Sequence, residues 1–197
     1  MRRNAVTATW VPRWVRQAGK FVLSAHARQN ALWEWRRRRH GMPELPTGPI
    51  TNVLVICHGN ICRSPFAARL LAEKREDLSV RSAGLAASEG NPANDAALRV
   101  SRQLGVTLDA HRTRHMGDAD LAWAHLVLGM EGHHAAGIRR FGPEHAGKAR
   151  LLGDFLPAPP YRIDDPWGQS DEVFARTFDR IGIAVRELAR ILEPSGQ

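Results

Sequence analysis

A residue type that can act as a nucleophile and one that can bind an anion lie close together in one short segment. Cys57 and Arg63 are separated by five residues, and an apolar run at 53–56 precedes them. A thiolate is a nucleophile, and a guanidinium offers a planar fork to two oxygens of a phosphate group. The spacing therefore predicts attack by sulfur on a phosphoester within the loop Cys57-His58-Gly59-Asn60-Ile61-Cys62-Arg63-Ser64.

The residues that flank this pair favour an anion-binding turn between a strand and a helix. The apolar run 53–56 predicts a buried strand, and Ser64-Pro65 is a typical helix start. Inward-facing backbone N–H groups and the positive end of that helix would favour the thiolate form of Cys57. Gly59 permits a tight turn, and Asn60 tolerates a left-handed backbone. The alternative is a buried structural cysteine in an ordinary turn.

Elements of two kinds alternate along the rest of the chain. Apolar runs predict strands at 53–56, 79–83, 126–130 and 149–152, and helical patterns follow at 64–71, 94–104, 131–141 and 171–192. This order predicts an α/β fold: a four-stranded parallel sheet with helices on both faces, Rossmann-like and three-layered. Ligands in such sheets bind at the carboxyl ends of the strands, where Cys57 is expected.

The basic charge lies in the N-terminal quarter of the chain. Residues 1–49 contain ten of the 28 Lys and Arg side chains and two of the 20 Asp and Glu side chains. The remaining 148 residues balance at 18 of each sign, so a nucleic-acid partner is not expected for them. A Pro- and Gly-rich linker at 42–49 predicts a boundary between an N-terminal extension, 1–49, and a catalytic domain, 50–197.

Cysteine usage and apolar runs limit the protein class. The two cysteines, Cys57 and Cys62, cannot build a disulfide framework or a Cys-rich zinc site. We therefore expect a reducing, cytoplasmic compartment. The chain has no apolar run of 18 residues and no N-terminal secretory pattern.

Residues 55–65 resemble the signature of low-molecular-weight protein tyrosine phosphatases. The resemblance continues at 82–85, 105–108, 126–131 and 165–167, and it is closest to bacterial members linked to exopolysaccharide synthesis. It implies a phosphotyrosine phosphatase I-like fold and hydrolysis of phosphotyrosine through a phosphocysteine, without cofactor or metal. It also implies a phosphotyrosine protein as substrate, such as an autophosphorylating tyrosine kinase.

The same resemblance implies a role for individual residues. Cys57 would be the nucleophile, Arg63 the phosphate clamp and Asp165 the general acid, with Asp164 as a competitor and a structural Asp-Pro turn as an alternative. The expected substrate and phosphate contacts come from His58, Gly59, Asn60, Ile61, Cys62, Ser64 and Trp167. Ser82 and His111 would support the loop, although spacing alone favours a turn serine and a surface histidine.

Several alternatives stay open at this point. A phosphoarginine phosphatase of the family would carry Thr at the position of Ile61, and an arsenate reductase would need further cysteines. A non-catalytic phosphotyrosine-binding module would not need Cys57, Arg63 and Asp165 together. Cys62 is either a partner for a reversible disulfide with Cys57 or a small buried residue. His58 either adds charge beside the phosphate or points into solvent.

The N-terminal extension combines basic and aromatic residues. It holds four of the six tryptophans, and its apolar residues suggest one helix face: Trp14, Ala18, Phe21, Val22 and Ala25. Such segments lie on anionic membranes, which predicts a membrane-peripheral enzyme that makes this contact through residues 1–41. The alternatives are a disordered tail, a true start at Met42, and a mitochondrial-type transit segment.

Overall fold

Four parallel strands form the centre of the fold, and the computed structural model describes residues 24–193. The strands are β1 (Asn52–Cys57), β2 (Ser79–Gly84), β3 (Leu126–Gly129) and β4 (Ala149–Leu151), in the sheet order β2-β1-β3-β4. The described helices are α1 (Ala25–His40), α2 (Arg63–Lys74), α3 (Asp95–Gln103), α4 (Asp118–Trp123), α5 (Gly132–Ile138) and α6 (Asp171–Ile191). Short 3₁₀ turns occupy Arg139–Phe141, Pro143–Lys148 and Leu152–Phe155.

Strand β1 is buried on both faces of the sheet, and it is apolar at every position from 53 to 56. Val53 and Val55 point to one face, and Leu54 and Ile56 point to the other. The first face packs on α2, α3 and α6, where the rings of Phe66 and Phe178 stack with centroids 3.9 Å apart. The second face packs on α4 and α5. The predicted three-layer α/β fold is therefore confirmed.

The carboxyl ends of the parallel strands bring three loops to one edge of the sheet. The first loop follows β1 and ends where α2 begins, the second links β3 to α5, and the third leads from β4 through residues 156–170 to α6. Strand register sets their relative height, since Val53 pairs with Leu126 and Val127 pairs with Ala149. The chemistry predicted for Cys57 and Asp165 is thus confined to one end of the molecule.

The ends of the helices follow local sequence signals, but the shortest helix is not predicted by them. The Asn94 side chain caps α3 by accepting the Ala96 N–H at 3.0 Å, and Gly105 follows that helix with a φ of +76°. Helix α4 was not expected, because its six residues span less than two turns and carry no sustained apolar period. The predicted 131–141 helix divides into α5 and a 3₁₀ turn.

The N-terminal extension contains an ordered helix. Helix α1 begins after Ser24, whose side chain caps it, and packs on α5. A disordered tail is therefore the wrong interpretation for residues 25–40. Of the predicted membrane face only Ala25 falls in the described part, and residues 14–22 lie outside it. The boundary at residue 49 and the alternative start at Met42 stay predictions. No helix within residues 24–193 is long and apolar enough to cross a membrane.

Candidate active site

The loop after β1 is held open by the side chain of Asn60. Asn60 has a left-handed φ of +55°, which an asparagine adopts at lower cost than most residues. Its amide nitrogen donates to Ser64 Oγ at 2.9 Å and to Ser82 Oγ at 3.0 Å. Its backbone carbonyl lies 2.7 Å from His111 Nε2. The two residues expected to support the loop thus both contact Asn60: Ser82 at its side-chain amide and His111 at its backbone carbonyl.

Burial affects the titration of the histidine in this network. Desolvation lowers the pKa of His111, although the hydrogen bond to the Asn60 carbonyl acts in the opposite direction. A neutral ring whose Nε2–H donates to that carbonyl fits both observations. Sequence spacing alone favoured a surface residue for His111, and its half-buried position differs because the loop folds over it.

Gly84, the last residue of β2, lets the β1 loop lie directly against the neighbouring strand. A Cβ atom at Gly84 would be 2.7 Å from the His58 carbonyl oxygen and 3.0 Å from the Asn60 nitrogen. These distances are too short for any side chain, so this position requires glycine. Leu85 N–H and Ala86 N–H also donate to the carbonyls of Cys57 and His58. The loop is therefore fixed to the sheet by backbone contacts on the β2 side.

Cys57 is buried at the carboxyl end of β1, and its sulfur lies 3.0 Å from Ser64 Oγ. Cys62, the residue before α2, is also buried. Desolvation, with a further contribution from Cys57, raises the pKa of the Cys62 thiol well above its usual value. Both thiols are free in this structure. The two cysteines of one loop thus have different surroundings, and Cys62 is held in the neutral form.

Arg63 joins the three loops at this edge of the sheet. Its Nη1 donates to Glu131 Oε1 at 2.7 Å and to the Ile163 carbonyl at 2.9 Å, and its Nη2 donates to Asp165 Oδ2 at 2.6 Å. The side chain is only 2% exposed. Desolvation opposes its charge, but Cys57, Asp165 and Glu131 outweigh that effect and raise its pKa. Its Nε is buried and meets no hydrogen-bond partner within residues 24–193.

The two adjacent aspartates of the third loop point to different places. Asp165 binds Arg63, and its other oxygen accepts the Trp167 N–H at 3.2 Å. Asp164 is exposed and pairs with Arg162 at 2.7 Å. Only Asp165 faces the β1 loop, as the sequence predicted for the general acid.

One cavity of about 320 Å³ collects most of the predicted site residues. It is lined by Cys57, His58, Gly59, Ile61, Cys62, Arg63, Asp165 and Trp167. Trp167 is 64% exposed, and His58 is exposed as well, so each contributes to the wall while still reaching solvent. A larger described cavity, of about 660 Å³ between α1 and α6, contains none of the predicted site residues.

Glu131 is a site residue that the sequence reasoning missed. It lies in the stretch 126–131 that carries part of the family resemblance, but the resemblance implies no role for it. Its carboxylate binds Arg63 through Oε1 and accepts from Asn30 Nδ2 at 2.8 Å through Oε2. A charged residue directly after a buried strand is the only local signal, and it does not reveal the partner.

Histidines beside Glu131 form the one group in residues 24–193 with metal-ligand potential. Glu131, His133 and His134 place three ligand atoms within 4.8 Å of one another. Desolvation lowers the pKa of His133 to about 4 and also lowers that of His134. His134 Nδ1 already accepts the Glu131 N–H at 3.0 Å, and the Arg63 charge lies against the carboxylate. The arrangement favours neutral, packed imidazoles over a bound cation.

Comparisons with known proteins agree with this geometry. The family of low molecular weight phosphotyrosine protein phosphatases matches residues 52–197. Etp, a low molecular weight protein-tyrosine-phosphatase of Escherichia coli strain K12, is 35% identical over 142 residues, which cover 72% of this chain and 94% of Etp. A protein-arginine-phosphatase of Geobacillus stearothermophilus is 36% identical over 143 residues, covering 72% and 95% of the two chains.

Solved structures extend the similarity to the fold. Wzb from Escherichia coli K30 in complex with sulphate is 36% identical, with a TM-score of 0.69 and coverage of 73% of this chain and 99% of that one. Vibrio vulnificus Wzb in complex with benzylphosphonate is 33% identical, with the same TM-score and coverage. The resemblance inferred from residues 55–65 is confirmed, and this chain belongs to the family of low molecular weight protein tyrosine phosphatases, which are cysteine-dependent hydrolases.

Proposed function

We propose that this enzyme hydrolyses phosphotyrosine in proteins through a phosphocysteine on Cys57. One observation supports this most directly: Cys57, Arg63 and Asp165 line a single cavity of about 320 Å³. A nucleophile, an oxyanion clamp and a proton donor are the groups that phosphoester cleavage requires. A module that only binds phosphotyrosine would need the clamp alone.

In the first step the Cys57 thiolate attacks phosphorus, and the bond to the tyrosyl oxygen breaks. The Ser64 hydroxyl, 3.0 Å from the sulfur, donates to the thiolate, and the start of α2 adds its positive end. The Arg63 fork holds phosphate oxygens, which also gives its buried Nε a partner. A phosphate oxygen on Nη2 replaces Asp165, and the released carboxylate takes up a proton from solvent. In this protonated form Asp165 then donates the proton to the leaving tyrosyl oxygen.

In the second step water attacks the phosphocysteine. Asp165 is now a carboxylate and takes a proton from the water. The oxygen of that water forms the new bond to phosphorus. The P–S bond breaks, and Cys57 returns to the thiolate while inorganic phosphate leaves. Arg63 holds the transferring group through both steps, and its contact strengthens as charge spreads over the phosphoryl oxygens in the transition state.

The adjacent aspartates provide a matched pair for testing the acid. We expect Asp165→Asn to lower kcat for phenyl phosphate by about 10²- to 10⁴-fold, because an amide cannot protonate the leaving oxygen. The loss should be smaller for para-nitrophenyl phosphate, whose leaving group needs less protonation. Asp164→Asn, which removes an exposed carboxylate paired with Arg162, should stay near wild type. A loss in Asp164→Asn with normal activity in Asp165→Asn would contradict the assignment.

Phosphotyrosine is favoured over phosphoarginine by the cavity wall. The named relatives include enzymes for both phosphoamino acids at nearly equal identity, so overall similarity does not separate them. Ile61 and Trp167 give this wall an apolar side chain and an indole face, which suit a flat aromatic ring. A guanidinium substrate would lose hydration against Ile61 without gaining a hydrogen bond.

Ile61→Thr tests this preference directly. We expect the wild-type protein to have the higher kcat/KM on a phosphotyrosine peptide, compared with a phosphoarginine peptide of the same sequence. The substitution should lower the ratio of the two values by about tenfold, since it replaces an apolar contact with a hydroxyl. Ile183→Thr, an exposed position on α6, is the matched control and should leave the ratio unchanged. A wild-type preference for phosphoarginine would refute the proposal.

We also propose that the protein substrate lies at a membrane, as an autophosphorylating tyrosine kinase would. Leu32 and Trp35 are 48% and 56% exposed on α1, next to exposed Arg36, Arg38 and Arg39. Apolar and cationic groups on one surface favour anionic headgroups. The full chain should therefore sediment with anionic vesicles at an ionic strength of about 0.15 M and less well after Trp35→Ala. Equal binding to neutral vesicles would refute this contact.

A further inference from the structure

Helix α1 lies outside the residues that match the phosphatase family, yet it contacts the groups behind the active site. We propose that Asn30 of α1 is a positioning residue for catalysis, which fixes Glu131 and through it the phosphate-binding Arg63. The proposal rests on the function proposed for Arg63. It assigns to the N-terminal extension a part in the reaction beyond any membrane contact.

Three side chains form a continuous hydrogen-bonded line from α1 to the cavity. Asn30 Nδ2 donates to Glu131 Oε2 at 2.8 Å, and Arg63 Nη1 donates to Glu131 Oε1 at 2.7 Å. Each carboxylate oxygen of Glu131 therefore has its own donor, and the plane of the carboxylate is fixed from both sides. The Glu131 side chain is 14% exposed, so little water is available to replace Asn30.

The neutral amide of Asn30 suits this position better than a charged donor would. A lysine or arginine in its place would compete with Arg63 for the charge of Glu131. An amide donates one hydrogen bond and leaves that charge for the guanidinium. The Asn30 oxygen in turn accepts the His133 N–H at 3.2 Å, at the start of α5. The amide is thus oriented at both ends, and its nitrogen is directed at Glu131.

Backbone contact between the helices brings Asn30 this close. A Cβ at Gly132 would be 2.6 Å from the Gln29 carbonyl oxygen and 3.1 Å from the Asn30 Cα. No other residue would fit at this crossing. Glycine at 132 therefore allows α1 to meet the first turn of α5 at backbone distance, directly behind Glu131.

The same helix also fixes the segment that leads to Asp165. Glu34 Oε2 accepts the Tyr161 N–H at 2.7 Å, two residues before the Ile163 carbonyl that binds Arg63 Nη1. Trp33 Nε1 donates to Asp154 Oδ1 at 3.0 Å, just after β4. Two partners of Arg63 Nη1, Glu131 and Ile163, are therefore both supported by α1. The helix acts on the guanidinium from two loops at once.

The test measures phosphate binding, which depends on Arg63 but not on turnover. In the full chain, Asn30→Ala should raise the calorimetric dissociation constant of inorganic phosphate by about 2- to 10-fold, the equivalent of one net hydrogen bond. It should lower kcat/KM for para-nitrophenyl phosphate to a similar extent. Asn30→Asp, nearly the same size, should weaken phosphate binding further, because its charge repels Glu131. Ala31→Ser, at an exposed position of α1 next to Asn30, is the control and should match wild type.

A double-mutant comparison separates positioning from general stability. If Asn30 acts through Glu131, Asn30→Ala should have no further effect on phosphate binding in a Glu131→Ala background. Equal fold-changes in both backgrounds would overturn the proposal, as would wild-type phosphate affinity in Asn30→Ala and Asn30→Asp. Should Glu131→Ala not fold, the comparison of phosphate binding between Asn30→Asp and the control Ala31→Ser decides. Failure of the proposed function would appear separately, as turnover of para-nitrophenyl phosphate that persists in Cys57→Ser.

Discussion

The buried guanidinium of Arg63 is the group on which the rest of the site depends. A cation that is 2% exposed is costly unless it is paired and hydrogen-bonded. Its partners come from two other loops: Glu131 after β3, and Ile163 and Asp165 after β4. Satisfying this one charge therefore gathers the three loops at the carboxyl edge of the sheet. The same contacts direct Arg63 towards the cavity that Cys57 lines.

The loop around Cys57 meets a second constraint, because its backbone must curve while packed on the sheet. Asn60 takes the left-handed conformation and uses its amide to bind Ser64 and Ser82. Gly84 leaves room for the loop on the β2 side. Residue type predicted the left-handed backbone of Asn60, and the family resemblance implied a supporting role for Ser82. Spacing alone did not predict the contact between Asn60 and Ser82, which are 22 residues apart in the sequence.

Long-range partners were beyond the reach of the sequence. The strands and α2 follow from apolar runs and from Ser64-Pro65, since these signals are local. The pairing of Arg63 with Glu131 spans 68 residues, and that of Asn30 with Glu131 spans 101. Neither Glu131 nor Asn30 belongs to a periodic sequence pattern from which its partner could be predicted. For the N-terminal extension, composition indicates charge and aromatic content. It does not indicate that Gly132 allows α1 to pack closely against α5.

Covalent catalysis by Cys57 is the central chemical step inferred from the geometry of the site. Rapid acid quenching during turnover of para-nitrophenyl phosphate, followed by peptide fragmentation in a mass spectrometer, tests it directly. The expected result is one phosphoryl group on Cys57 and none on Cys62, whose buried thiol stays protonated. Wild-type turnover with no adduct on Cys57, continued turnover by Cys57→Ser, or a phosphoryl group located on Cys62 would each contradict it.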